Sequence, residues 1–151
     1  MIQLKNKSEQ EVINMVCDLL DWYENNHSKA DIIMLLNFQD KLSLLSVNLA
    51  HITALSKGTY LRAYFQRKMS FSTKKLTFIN DGEKIGTAEQ KAFVQLGEPK
   101  EEEISKEELS DSLNLTLRQV NKVLSSVQQR ISFLKAEWDR MHKLTHDNKQ
   151  N

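Results

Sequence analysis

The chain has 151 residues, 27% charged and 40% hydrophobic, with a formal net charge of +1. One proline and four glycines are too few for a many-turned β-sandwich and suit long uninterrupted helices. No apolar run reaches bilayer-crossing length, the N-terminus lacks a signal-peptide core, and a lone cysteine excludes an intrachain disulfide, so the expected address is cytoplasmic.

A single all-α domain over residues 1–151 is the predicted fold. In 1–28 a helix over about 9–25 aligns Val12, Val16, Leu19 and Tyr23 on one face and reads Cys17 as a buried small hydrophobe. Four Ser/Thr positions followed by an acid or amide three residues on mark helix starts: Ser8–Glu11, Ser28–Asp31, Thr87–Gln90 and Ser105–Glu108. A long helix over 29–70 follows, in which Leu35, Phe38, Leu42, Leu45, Leu49 and Ile52 draw one seam, with Gly58 as the place for a bend. In 71–111 the apolar residues lose helical spacing. "NDG" at 80–82 predicts a small β-hairpin near 75–87, then a short helix over about 88–96 and an acidic connection. The final helix, 112–144, carries Leu113, Leu117, Val120, Leu124, Val127, Ile131, Leu134, Trp138 and Met141 at unbroken 4-3 spacing. That seam predicts coiled-coil packing, inside the chain or between chains, and an oligomerisation role for those residues. Residues 145–151 are expected to fray.

Catalysis is not expected. No phosphate-binding glycine loop, nucleophile elbow or zinc-protease motif occurs. His142 and His146 stand one helical turn apart but have no Cys or third His nearby, so neither a metal nor a cofactor is expected. The acids of 98–111 read as a solvated face, lacking the enclosed pocket that separates the pKa values of an acid–base pair.

Charge is segregated. Residues 41–80 hold seven basic side chains and no acidic one, whereas 81–111 hold four basic and ten acidic. Within "LSKGTYLRAYFQRKMSFSTKK" (55–75), Lys57, Arg62, Arg67, Lys68, Lys74 and Lys75 interleave with Tyr60, Tyr64, Phe65 and Phe71. Leu61 and Phe65 fit one i, i+4 face and read as structural. The remainder has two readings. As an ordinary solvated face, the cations need no partner. As a set, they lack the acids that usually relieve repulsion on a helix surface, and a polyanion would supply the missing charge. Phosphates would then meet Lys57, Arg62, Arg67, Lys68, Lys74 and Lys75, while Tyr60, Tyr64 and Phe71 stack on bases of single-stranded nucleic acid. Arg118, Lys122, Arg130 and Lys135 would extend that surface. The alternative is a helical scaffold protein that binds only protein, its basic face meeting an acidic one such as 98–111 of a neighbour.

"ALSKGTYLRAYFQRK" and "VNKVLSSVQQRISFLKAEWDRM" resemble, in layout, phage recombination-mediator proteins of the UvsY type. The first is similar to that family's basic-aromatic helix, the second to its self-associating closing helix. The resemblance implies an oligomeric protein in a bacterial or phage-infected cell. It would bind single-stranded DNA and help load a strand-exchange recombinase onto DNA covered by single-strand-binding protein. Position by position, Lys57 and Arg62, with Tyr64, match its DNA-contacting part.

Overall fold

A computed structural model describes residues 8–147, with backbone only for residue 98 and residues 144–147. Its elements are α1 (Glu9–Asn26), α2 (Ile32–Asn80), α3 (Ile85–Val94) and α4 (Gly97–Asp147), with no strand among the described residues. The fold is all-α. The described residues form two compact units, 8–50 with 116–147 and His51–Leu115, where one domain was expected. The chain passes through both units along α2 and again along α4.

The first unit follows its sequence pattern. Ser8 caps α1 in a reciprocal box with Glu11, each satisfying a backbone N–H of the other. Val12, Val16 and Tyr23 of α1 are buried, as are Leu35, Phe38, Leu42, Leu45 and Leu49 of α2 and Val120, Val127 and Ile131 of α4. Phe38 stacks against Trp22 and Tyr23 at ring separations of 5.2 and 5.3 Å. The Tyr23 and Ser126 hydroxyls share a 2.9 Å hydrogen bond, which joins α1 to α4. Cys17 is exposed, contrary to expectation, because it lies one residue past the Val12–Val16 stripe and faces away from it.

The α4 seam read as an oligomerisation surface is packed in large part within the chain. Leu113, Val120, Val127 and Ile131 are buried within a single chain, and Leu117, Leu124 and Leu134 are half-buried. Those positions are spent on intrachain packing, leaving only Trp138 and Met141 of the seam exposed.

Helix starts were legible only at α1. Asp31 accepts from the Met34 N–H at 2.7 Å, so the aspartate caps α2 and Ser28 does not. Lys84 stands at the start of α3 without a side-chain cap, Thr87 lies inside that helix, and Ser105 lies inside α4. The acidic connection is itself helical, with Pro99 tolerated in the first turn of α4, where a missing N–H is harmless. At its other end α4 runs to Asp147, beyond the expected end at residue 144.

The predicted hairpin does not form: residues 75–80 are the last turns of α2, and "NDG" ends that helix. Gly82 takes φ +87°, its N–H donating to Ile79 O and the Glu83 N–H to Phe78 O, each at 3.0 Å. This is the glycine-terminated C-cap that satisfies orphan carbonyls.

The second unit packs α3 and residues 97–115 of α4 against residues 51–80 of α2. Its buried residues are mostly small or polar: Thr53, Ser56, Ala63, Ala88, Ala92, Glu103 and Ser110, with Ile52, Leu96 and Leu113. Two glycine replacements are expected to differ in sign. Gly82→Ala forces a left-handed conformation and should cost about 1–2 kcal/mol. Gly58→Ala, inside α2 with open space at its Cβ position, should stabilise by about 0.5–1 kcal/mol. Urea denaturation of both variants checks this.

Candidate interaction face on the second unit

Residues 55–76 form uninterrupted helix, so side chains seven apart share a side. Tyr60, Arg67 and Lys74 are such a set, and all three turn toward the opposing chain. Tyr60 donates its hydroxyl to Glu107 Oε1 at 3.2 Å. Arg67 grips Glu103 through Nε and, at 3.2 Å, through Nη2. Lys74 Nζ donates to the Gln95 carbonyl at 2.6 Å. As position rises along α2 it falls along the partner segment, the signature of antiparallel pairing. Lys75 adds an ion pair to Glu89 of α3 at 2.5 Å.

The Arg67–Glu103 pair stands apart, because Glu103 is only 8% exposed. A carboxylate that buried stays charged only if a cation and hydrogen-bond donors accompany it. The hydrogen bond to Glu103 in turn raises the Arg67 pKa above its already high ordinary value. Partial desolvation, followed by the Glu107 charge, raises the Tyr60 phenol above its usual value. A raised phenol favours the folded state while neutral. That contribution is therefore complete below the ordinary tyrosine pKa and is lost as pH climbs through the folded one.

These contacts divide the residues expected to bind phosphate. Arg67, Lys74 and Lys75 are engaged inside the unit, and a groove of about 590 Å³ along α2 has Arg67 and Lys74 in its wall, both already bonded. Lys57, Arg62 and Lys68 are exposed and make no ion pair among the described residues, though Lys68 Nζ lies 4.7 Å from the Tyr64 ring centroid. The expected stacking rings Tyr60, Tyr64 and Phe71 are half-buried, and Tyr64 lies beneath Arg67 and Lys68.

The residues read as structural are the ones that face out. Leu61, Phe65 and Met69 are 41, 59 and 71% exposed, in line with Leu76 and flanked by Leu55. This row lies opposite the side carrying Ala63, Arg67 and Lys74. Sequence reasoning missed it by assigning a helix one apolar face, when α2 has two. The available signal was a second apolar row, Leu61–Phe65–Met69–Leu76, offset by half a turn from the first.

Arg118, Lys122, Arg130 and Lys135 belong to the first unit, where Arg130 Nη2 donates to the Ser28 carbonyl at 3.4 Å. The His146 side chain lies outside the described residues, and among those described no group of three His, Cys, Asp or Glu is placed to hold a metal ion. No helix of the described residues is long and apolar enough to cross a membrane. The chain matches no family model, no curated protein and no solved structure.

Replacing Arg67 by Met keeps the alkyl stem but abandons the Glu103 carboxylate, and should cost roughly 2–4 kcal/mol. Lys75→Met, at an exposed pair, should cost under about 1 kcal/mol. Denaturation midpoints compare the two. In a phenolate absorbance titration, Tyr60→Phe should remove a component that ionises above the ordinary tyrosine range.

Proposed function

We propose that this is a non-catalytic helical assembly protein that binds a partner protein along the outward face of α2 in the second unit. One observation supports this reading: Leu61, Phe65, Met69 and Leu76, all large and exposed, line one side of the helix between unpaired Lys57, Arg62 and Lys68. Scattered exposed apolar residues need no explanation, but a contiguous row rimmed by charge marks an interaction surface. Burying the row would supply affinity, while the cations would set orientation and encounter rate.

A second reading is favoured by the same three cations around the exposed ring of that face, Phe65. In it the chain is a single-stranded DNA-binding accessory protein. It would act as a homo-oligomeric recombination mediator, loading a recombinase onto DNA coated by single-strand-binding protein, as the resemblance of 54–68 implies. Its contact set is then Lys57, Arg62 and Lys68 with Phe65, in place of the larger set read from sequence. Lys57→Glu with Arg62→Glu should then reduce the salt dependence of oligonucleotide affinity by about 1.4 log units per log unit of salt.

Photo-crosslinking separates the two. Benzoylphenylalanine replaces Phe65, or exposed Gln128 as a control, in the cells that make the protein. A protein adduct at 65 and none at 128 is the expected result. A nucleic-acid adduct at 65 would replace the first reading with the second, and no adduct at 65 would contradict both.

A further inference from the structure

The outward face of α2 has a counterpart on α4 of the same unit. Glu101, Ile104, Glu108, Asp111 and Leu115 follow 3-4-3-4 spacing, which sets them on one side of the helix. All five are exposed, with Ile104 at 43% and Leu115 at 60%. They lie opposite the side that carries buried Glu103, Ser110 and Leu113. Among the described residues Glu101, Glu108 and Asp111 make no ion pair, whereas their neighbours Glu102 and Glu107 are held by Lys106 and Tyr60. Lys100, beside them, is turned over the Phe93 ring at 5.4 Å.

The second unit thus presents two apolar rows of similar length and opposite charge. One row has Leu61, Phe65 and Met69 among three cations, and the other has Ile104 and Leu115 among three carboxylates, none of the six ion-paired among the described residues. Each row lies on the side of its helix away from the Arg67–Glu103 contact, so the two point away from each other. A chain cannot close one upon the other within itself, but a second copy can.

We propose that the acidic–apolar face of α4 in one copy docks on the basic–apolar face of α2 in the next. This inference rests on the reading of α2 as a protein-binding face and names its occupant. Charge argues for that occupant: two α2 faces brought together would oppose Lys57, Arg62 and Lys68 with cations, and two α4 faces would oppose carboxylates. The contact is heterologous, because different surfaces meet, so it propagates copy to copy and ends as a ring or an open filament. It also accounts for the outward-facing part of the acid-free stretch and the outward-facing part of the acidic stretch, each being half of one repeated interface.

Charge reversal on purified full-length chains tests this by sedimentation. Wild type is expected to associate increasingly with concentration and to dissociate with added salt. Lys57→Glu with Arg62→Glu makes both faces acidic, and Glu101→Lys with Glu108→Lys makes both basic. Each variant alone should associate about a hundredfold more weakly. Their equimolar mixture should reassemble, because every contact in it again pairs opposite charges. All four sites are exposed, and unchanged thermal melting verifies folding.

Association that survives in the α4 variant but fails in the α2 variant would overturn the docking while leaving α2 a binding face. A mixture that stays dissociated, or a wild type monomeric at every concentration, would also overturn it. In either of those cases a foreign-protein adduct at position 65 preserves the functional reading, and no adduct there removes that reading too.

Discussion

The Arg67–Glu103 ion pair, with its carboxylate buried and its guanidinium partly exposed, is the constraint on which the second unit depends. Around it α2 and α4 meet through alanine, serine and charge, with Ala63 the nearest small residue buried on the α2 side. A buried pair contributes modest net stability, yet breaking it is costly, so it acts chiefly as a register lock. Tyr60–Glu107 above it and Lys74–Gln95 below it repeat the contact at one-heptad intervals. With its meeting surface built largely from polar and small groups, the unit buries Ile52, Leu96 and Leu113 but leaves Leu61, Phe65, Met69 and Leu76 outside.

The first unit instead packs around leucines, with Leu35, Phe38, Leu42, Leu45 and Leu49 of α2 inside, although Ile33, Leu44 and Val47 of the same helix are exposed. One helix thus serves two economies: leucine burial over its first half and paired charge over its second. The uneven charge along the chain follows from this division. Within the second unit Arg67 and Lys75 are paired with Glu103 and Glu89 and Lys74 is bonded to the Gln95 carbonyl, whereas Lys57, Arg62 and Lys68 are turned outward with the apolar row; Lys41 belongs to the first unit. Forty acid-free residues therefore do not act as one surface. Helical spacing sorts them into an inner set and an outer set, and only the outer set is open to a partner.

How much of this was legible depended on whether the deciding partner lay nearby in sequence. The Ser8–Glu11 box and the Val12–Val16–Tyr23 stripe were local, and α1 formed as read. The 4-3 seam of α4 correctly marked helix packing, but periodicity alone does not say whether the matching surface belongs to the same chain. Residues 71–80 were misread because Phe71 and Phe78 lie on one side of α2 and Leu76 on another, so no single row emerged. Leu61 and Phe65 were misplaced for the complementary reason, since apolar character was equated with burial. The partners of Arg67 and Lys75 are 36 and 14 residues away, and no local pattern of basic and aromatic residues identifies them.

Site-resolved amide hydrogen exchange tests most directly whether the ion pair holds the second unit together. It should be followed in wild type and in Arg67→Met. Protection should fall over residues 56–80 and 97–113 of the variant and persist over 35–49, where leucine burial takes over. Equal protection of 56–80 in the two proteins would show that the unit coheres without the pair, and the account would be wrong.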